Sequence, residues 1–409
     1  MHSATTATTA APASAAAIPA VPERADWPAV AAAGLSTFCV VTSEMLPVGL
    51  LAPIADELGM STGMGGLLLF VPSLLAALCA PLAVLWAGGA DRRRVLCALL
   101  AALALANAAS ALAPNLPALL AARALVGFCI GGIWSIAGGL AGRLAPPAAV
   151  ALATSVIFGG VAVASVLGVP LGAAIGALAG WRAAFGAMSA LCLLALALNA
   201  RLLPALPTTR SLRAPALMAA LHSPGLRRGV VITLSLVAAH FMAYTFVRPL
   251  LETRAGFAGD WIGPLLFAYG VAGVAGNFVA GLGAARRERP VLLAIVAALA
   301  LVLTLHAWLG DRPLAAGVLL LAWGLAYGGV SVSLQLWMLR AAPDAVEPAT
   351  AWFVSAFNLG IAAGSLLGVP TVDALGLRAN LLLAASCLVP AIAALLWPRG
   401  GRHAQGRAA

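Results

Sequence analysis

The sequence is dominated by long apolar runs that are separated by short polar breaks. An α-helix rises 1.5 Å per residue, so about 20 apolar residues cross the ~30 Å hydrocarbon core of a bilayer. With 63% hydrophobic and 9% charged residues, the chain has more apolar surface than one soluble core can cover. The pattern predicts an all-α membrane protein with about twelve membrane helices. Their expected positions are roughly 28–53, 63–88, 94–113, 117–142, 150–178, 181–203, 228–251, 261–283, 290–309, 313–340, 348–372 and 378–397.

Repeated segments divide these helices into two sets. LGVP occurs at Leu167 to Pro170 and again at Leu367 to Pro370, late in the fifth and eleventh predicted helices. An offset of six helices gives both copies the same membrane orientation, which indicates two parallel six-helix repeats. We expect the following organisation: a disordered cytoplasmic leader (1–27), a first half (28–203), a cytoplasmic linker (204–227), a second half (228–398) and a basic cytoplasmic tail (399–409).

The charge of the chain indicates its topology. The formal net charge is +10, and every one of the 23 basic residues is arginine. With the N-terminus inside, most of these arginines fall on the side that holds both termini and the linker. This is the positive-inside rule, so we expect that side to be cytoplasmic and no nucleic acid to be a partner. The six cysteines fall inside predicted helices without metal-type spacing, which favours neither a disulfide framework nor a metal site.

Two charged residues are predicted inside the membrane. Glu44 lies within the first helix and Arg123 within the fourth, at depths that differ by only ~5 Å. A charged side chain at the bilayer centre costs roughly 2.5–3.5 kcal/mol on insertion scales, so each should face a cavity or a partner. We expect the two to pair and Glu44 to take up and release a proton during a transport cycle. The alternative is a static ion pair that orients the two helices.

Polar and aromatic residues also form stripes on two later helices. His240 and Tyr244 share one face of the seventh helix, followed near its end by Arg248 and Glu252, which can simply pair at the rim. The tenth helix carries a similar stripe of four residues: Trp323, Tyr327, Ser331 and Gln335. Aromatic faces with a few hydrogen-bonding groups suit a flat heterocyclic substrate. The alternative is that some of these side chains only pack between helices.

Three sequence motifs resemble those of the major facilitator superfamily, in particular its proton-coupled efflux branch. GGADRRRVL resembles the loop motif after the second helix, although Ala87 replaces its usual glycine. LLAARALVGFCIGG places Arg123 and Gly127 where the fourth-helix motif has Arg and Gly. SVLGVPLGAAIG, with Gly168, Pro170 and Gly172, resembles the antiporter motif of the fifth helix.

A closer resemblance is to the bacterial purine ribonucleoside efflux pumps. EMLPVGLLAPIADELGMS, SVIFGG, GWRAAF and TFVRPLLETRAGF all look like segments of that family. Sugar-efflux relatives of the arabinose-inducible type share EMLPVGLL and GWRAAF, so the resemblance is less specific for substrate than for fold.

The resemblance implies several further expectations. Helices one, four, seven and ten line a central cavity in the superfamily, so Trp134 of the fourth helix joins the candidate substrate residues. Asn358 of the eleventh helix is a further candidate substrate contact, and a hydrogen bond between helices is the alternative. Asp91, Arg92 and Arg93 would latch the two halves on the cytoplasmic side, or merely anchor the loop.

The resemblance implies a monomeric exporter in the bacterial inner membrane, with a small-molecule substrate, protons and the lipid bilayer as its partners. It implies no cofactor, and the sequence contains no nucleophile elbow, phosphate loop or metal motif that would indicate an enzyme. Purine ribonucleosides or related bases are the expected substrates. The alternatives are a sugar or phenicol-type drug antiporter, an uncoupled facilitator and a membrane sensor.

Overall fold

The computed structural model describes residues 24–61, 63–86, 90–207, 214–343 and 345–397. The first half consists of six long helices. They are α1 (Trp27–Leu58), α2 (Leu67–Trp86), α3 (Arg92–Ala111), α4 (Leu116–Leu144), α5 (150–179) and α6 (Trp181–Leu202). A π-helical turn at Ala164–Gly168 interrupts α5, directly before Pro170.

The second half repeats this arrangement with more interruptions. It contains α7 (Pro224–Tyr244, continued by shorter turns to Arg254), α8 (Gly259–Ala284), α9 (Arg286–Leu309), α10 (Pro313–Ala341), α11 (346–375) and α12 (377–396). The backbone kinks at Arg287 between α8 and α9, and α10 is broken at Gly329. A short helix, Ala214–Ala220, lies in the linker.

The helices α11 and α12 are joined without a loop. Eleven helices of the described residues are long and apolar enough to cross a membrane, and the last of them, Pro348–Leu396, contains 49 residues. Within it, Gly376 has φ 80°, in the region that glycine adopts without a steric penalty, so the run is two helices that meet at this residue. The chain therefore has the predicted all-α architecture of twelve membrane helices.

Several helix ends differ from the sequence-based positions. Helix α1 continues to Leu58 through Pro47 and Pro53, and Gly59 ends it in a left-handed conformation. Helix α7 begins at Pro224 instead of 228 because Ser223 caps its first turn. Of the predicted leader and tail, residues 1–23 and 399–409 lie outside the described part of the chain.

The bundle has two ends, which we call the linker side and the far side. The linker side holds the start of α1 and residues 204–207, and the far side holds the α1–α2 connection. On the far side, the Asp373 carboxylate of the second half accepts hydrogen bonds from Ser61 Oγ (2.6 Å) and the Gly63 N–H (2.9 Å) of the first half. The carboxylate thus caps the N-terminal turn before α2, and the halves are in contact at the far side.

Candidate functional site

Arg123 of α4 is fully buried, and its guanidinium group binds main-chain oxygens of two neighbouring helices. It donates to the carbonyls of Ser43 (2.6 Å) and Glu44 (2.9 Å) in α1 and to that of Leu68 (3.1 Å) in α2. The direct ion pair that the sequence predicted with the Glu44 carboxyl group is not formed. Ion pairs of other described residues include Arg182–Glu57, Arg248–Glu252, Arg254–Asp311 and Arg340–Glu288.

Two prolines explain why Arg123 binds the carbonyls of Ser43 and Leu68. In an α-helix the carbonyl of residue i accepts from the N–H of residue i+4, and proline has no N–H. Pro47 therefore leaves the Ser43 carbonyl without a helical donor, and Pro72 does the same to Leu68. A buried carbonyl without a donor is costly, so both attract the guanidinium group. The spacing Ser43–Pro47 and Leu68–Pro72 is the sequence signal that indicates these acceptors.

Glu44 remains buried next to the boundary between the halves, with an exposed fraction of 5%. Its carboxyl group accepts a long hydrogen bond from Ser73 Oγ of α2 (3.4 Å). It also lies close enough to Tyr327 of α10 for an electrostatic interaction between the two side chains. Beside it, Asn107 of α3 donates to Ser43 Oγ (2.9 Å). Glu44 is thus held by a hydrogen bond from its own half.

An aromatic cluster occupies the second half where α7 and α10 meet. His240 lies between Tyr327 and Tyr244, with ring centres 3.3 and 4.9 Å apart and nearly parallel planes. The indole N–H of Trp323 donates to Nδ1 of His240 (3.0 Å). Because the indole only donates, Nδ1 is the acceptor and the proton of the neutral imidazole ring lies on Nε2. The structure therefore brings together four of the residues on the predicted stripes.

The cluster extends to two residues that the sequence reasoning missed. Tyr269 of α8 stacks on Tyr244 with ring centres 4.9 Å apart, and His306 of α9 lies edge-on to Trp323 at 6.3 Å. The chain contains three tyrosines, and all three lie in this cluster. Their scarcity in so apolar a chain is the sequence signal that could have grouped them.

One end of this stack carries a polar group without a hydrogen-bond partner in the described part of the chain. Tyr327 is half-buried, whereas Tyr269 at the opposite end is 7% exposed. The Tyr327 hydroxyl has no hydrogen-bond partner among the described residues. The stack therefore ends in a buried hydroxyl whose donor and acceptor capacity is unused by these residues.

The remaining predicted substrate residues lie outside the aromatic cluster. Trp134 packs against Phe158 of α5 in the first half, with ring centres 5.8 Å apart. Ser331 is exposed and Gln335 half-buried, because the break of α10 at Gly329 separates them from the Tyr327 face. Asn358 donates to the Val354 carbonyl of its own helix (2.9 Å), and its amide oxygen has no partner among the described residues.

The predicted gating motif on the linker side contacts the first half and the start of the linker. The Asp91 carboxylate accepts hydrogen bonds from the N–H groups of Arg93 (2.8 Å) and Leu206 (3.2 Å). The Arg92 N–H donates to the Leu206 carbonyl, and the Arg93 guanidinium group to that of Ala200. Partial desolvation raises the pKa of Asp91, but the backbone hydrogen bonds outweigh it and leave this pKa below its ordinary value. In this conformation the motif binds the start of the linker.

The motif glycines allow neighbouring helices to approach closely. A Cβ on Gly127 would lie 2.7 Å from Cα of Pro72, so α4 and α2 are in contact there through their backbones. Gly168 and Gly172 face Thr42 and Leu46 of α1 and line a groove of about 120 Å³ between α1, α5 and α6. Pro170 follows the π-helical turn, and its carbonyl faces Gly263 of α8 across the boundary between the halves.

On the far side, Arg248 and Glu252 form the expected ion pair, with an N–O distance of 2.9 Å. Arg248 is nevertheless only 8% exposed. Its guanidinium group also donates to the carbonyl of Gly49 in α1. The pair is therefore a contact between the halves in addition to a rim ion pair.

Comparisons with known proteins agree with this architecture. The model of the Major Facilitator Superfamily matches residues 33–365. The transcription regulatory protein OpdE of Pseudomonas aeruginosa is 35% identical over 380 residues, which cover 92% of this chain and 94% of that protein. The purine ribonucleoside efflux pump NepI of Escherichia coli O157:H7 is 32% identical over 369 residues, covering 90% of this chain and 92% of the pump.

Solved structures of the same fold match at lower identity. A bacterial homologue of the human lysosomal transporter Spinster, in an inward-facing and occupied conformation, has a TM-score of 0.71 and 15% identity, covering 90% of this chain and 95% of that chain. The human organic anion transporter MFSD10 has a TM-score of 0.63 and 22% identity, covering 90% and 99%. The chain therefore belongs to the Major Facilitator Superfamily and is a multi-pass membrane transporter of small molecules, not an enzyme.

Proposed function

We propose that this transporter exports purine ribonucleosides or related bases in exchange for protons, by alternating access. The observations that carry the proposal are the aromatic stack of α7 and α10 in the second half and the buried carboxyl group of Glu44 in the first half. A stack of flat rings together with a single buried carboxyl group suits a flat heterocycle with polar edges. The similarity to a protein named as a purine ribonucleoside efflux pump supports this class of substrate.

The aromatic cluster would bind the base and hold it in place. Stacking of a base on an aromatic side chain contributes about 1–3 kcal/mol. The Tyr327 hydroxyl supplies a donor and an acceptor for the polar edge of the base. The hydrogen bond from Trp323 fixes the His240 ring, so the stack is preorganised before substrate arrives.

Glu44 would carry the coupled proton. A carboxyl group that is 5% exposed, with one long hydrogen bond from Ser73, is poorly stabilised as an anion. Its protonation therefore depends on whether water or substrate reaches it, which differs between the two open states of a transporter. Replacement by glutamine keeps the shape and removes the titration. We expect Glu44→Gln to abolish uphill efflux driven by a proton gradient and to leave substrate exchange at equal pH largely intact.

The outcome that would contradict this role is specific. If the Glu44→Gln variant concentrates substrate against its gradient with an unchanged pH dependence, Glu44 is structural and the coupling group lies elsewhere. His240, the next buried titratable group of the central region, would then be tested in the same way.

The substrate class is tested by counterflow in proteoliposomes. We expect an internal purine nucleoside such as inosine to accelerate the uptake of labelled inosine, and pentoses to have little effect. Tyr327→Leu should weaken this exchange more than Tyr327→Phe, because only the leucine variant loses the ring. Competition by arabinose or chloramphenicol without competition by inosine would favour the sugar or drug exporter instead.

The proposal also includes orientation and location. The arginine bias favours a cytoplasmic linker side, with a monomer in the bacterial inner membrane. A cysteine in place of Arg201, at the linker-side end of α6, should then react only with reagents that cross the membrane. A cysteine in place of Leu112, at the far-side end of α3, should react from outside. The reverse pattern would overturn the orientation.

A second candidate function is a membrane sensor that affects transcription. It is favoured by the 35% identity to a protein named as a transcription regulatory protein. Deleting the chromosomal gene and complementing it with the Tyr327→Leu variant separates the two candidates. A sensor that does not transport predicts altered transcription with no efflux by the wild-type protein, whereas the exporter predicts efflux that Tyr327→Leu reduces.

A further inference from the structure

Prolines in the first two helices leave several main-chain carbonyls without a helical donor. Besides Ser43 and Leu68, which bind Arg123, two further carbonyls precede a proline by four residues. Gly49 precedes Pro53 in α1, and Ala77 precedes Pro81 in α2. Both of these carbonyls also accept a side-chain donor from another helix, Gly49 from Arg248 and Ala77 from Ser355 (3.2 Å).

The four carbonyl acceptors differ in whether their donor lies in the same half of the protein or in the other half. Arg123 belongs to the same half as the carbonyls that it binds, so its hydrogen bonds join helices that move together. Arg248 of α7 and Ser355 of α11 belong to the second half. Their hydrogen bonds cross the boundary between the halves and exist only while the halves are in contact at those points.

The Arg248 contact lies where the far side is closed. Gly49 is nine residues before the far-side end of α1, and a Cβ at that position would lie 3.1 Å from Cβ of Ala173 in α5. Arg248 is fixed from its own half by Glu252, so its guanidinium group is already oriented when it meets the first half. Asp373 closes the same side nearer to the surface.

We propose that the Gly49 carbonyl left free by Pro53 is the docking acceptor for Arg248, and that this contact holds the far side of the transporter closed. An ordinary residue at position 53 would supply an N–H to this carbonyl and compete with the guanidinium group. Proline removes the competitor, so the carbonyl is satisfied by the second half when the far side is closed and by water when it is open. The inference depends on the transporter fold and not on the identity of the substrate.

The proposal makes Pro53 a gating residue whose replacement does not damage the helix. Proline inside a helix is unfavourable, so Pro53→Ala should leave the thermal stability of the protein equal or higher. It should nevertheless weaken the contact between the halves. A variant that merely misfolds would lose stability, so the two explanations are distinguishable.

The test uses spin labels on the far side, with no substrate present. The labels replace Leu112 and Leu314, exposed residues at the far-side ends of α3 and α10, in a background whose six cysteines are replaced by alanine. Double electron–electron resonance then reports the population with the longer label distance. A hydrogen bond to a charged group corresponds to about 10- to 100-fold in an equilibrium. We expect Arg248→Met to raise the open-to-closed ratio by about this factor and Pro53→Ala to raise it less.

Two controls decide the outcome. Pro47→Ala restores a donor to Ser43, whose partner Arg123 lies in the same half, so the label distance should not change. In the Arg248→Met background, Pro53→Ala should have no further effect, because the contact that it weakens is already absent. Unchanged populations in Pro53→Ala, or additive effects of the two substitutions, would overturn the proposal.

Discussion

The role of Arg123 can be tested by removing it and then supplying its hydrogen bonds from elsewhere. Arg123→Met keeps much of the buried volume but leaves the Ser43 and Leu68 carbonyls without a donor, because Pro47 and Pro72 cannot replace it. The Glu44 carbonyl keeps the N–H of Val48 as its helical donor. Each unsatisfied buried carbonyl costs about 1–3 kcal/mol, so we expect the free energy of unfolding to fall by about 2–6 kcal/mol.

A rescue experiment distinguishes the loss of these hydrogen bonds from the loss of the positive charge of Arg123. Alanine at positions 47 and 72 gives each orphaned carbonyl a helical N–H. We therefore expect Pro47→Ala and Pro72→Ala, added to Arg123→Met, to recover more than half of the lost stability, measured by unfolding in mixed detergent micelles. Pro53→Ala is the matched control, since Arg123 does not bind the Gly49 carbonyl. If the double alanine variant recovers nothing while Glu44→Gln does, Arg123 acts mainly through the charge of Glu44.

Two further substitutions test contacts between helices. Gly127→Ala should destabilise the protein by about 1–3 kcal/mol, because the added Cβ meets the backbone of Pro72 and neither helix can yield locally. Unfolding in the same micelles measures this loss. An unchanged stability would contradict the close approach of the two helices. Asp373→Asn should increase amide hydrogen exchange at Gly63, because it weakens a charge-assisted hydrogen bond. The control is Asp311→Asn, which changes an acid paired within its own half and should leave exchange at Gly63 unchanged. Equal effects of the two substitutions would show that Asp373 is no specific cap.

The fold was predictable because membrane helices are determined largely by local composition. Apolar length predicted the twelve helices, and the exceptions have local causes. Helix α1 runs past two prolines because each orphaned carbonyl finds a donor on another helix, which the sequence of α1 alone does not reveal. The sequence does not predict the short helix Ala214–Ala220 within the linker, since seven residues are too few for a periodic pattern.

The candidate site was predictable only where its residues share a helix face. The spacing of His240 and Tyr244, and of Trp323 and Tyr327, placed each pair on one side of its helix, and the structure packs the two pairs together. Their role in substrate binding remains a prediction. Tyr269 was missed because it lies on a helix that has no polar stripe of its own.

Glu44 and Arg123 interact electrostatically in the structure but form no direct ion pair, and the reason is different. Their similar depths were predicted from helix rise, but depth does not specify which acceptor a guanidinium group selects. The prolines at 47 and 72 leave main-chain carbonyls without a helical donor, and Arg123 donates to these carbonyls. The residue four positions before a proline in a membrane helix has a carbonyl without a helical donor. Locating these residues in the sequence would have identified the carbonyls that compete with the Glu44 carboxyl group for Arg123.

The contacts of the linker limit how far the two halves can separate. Residues 206 and 207 are bound to the first half, through Asp91 and Arg143, and the helix Ala214–Ala220 is bound to the second half through the indole N–H of Trp352. Seven residue steps connect Pro207 to Ala214, and a fully extended chain spans at most about 25 Å over that length. While both ends remain bound, the linker is a tether of fixed maximum length. Opening of the linker side beyond this distance would require one of its two attachments to be released first.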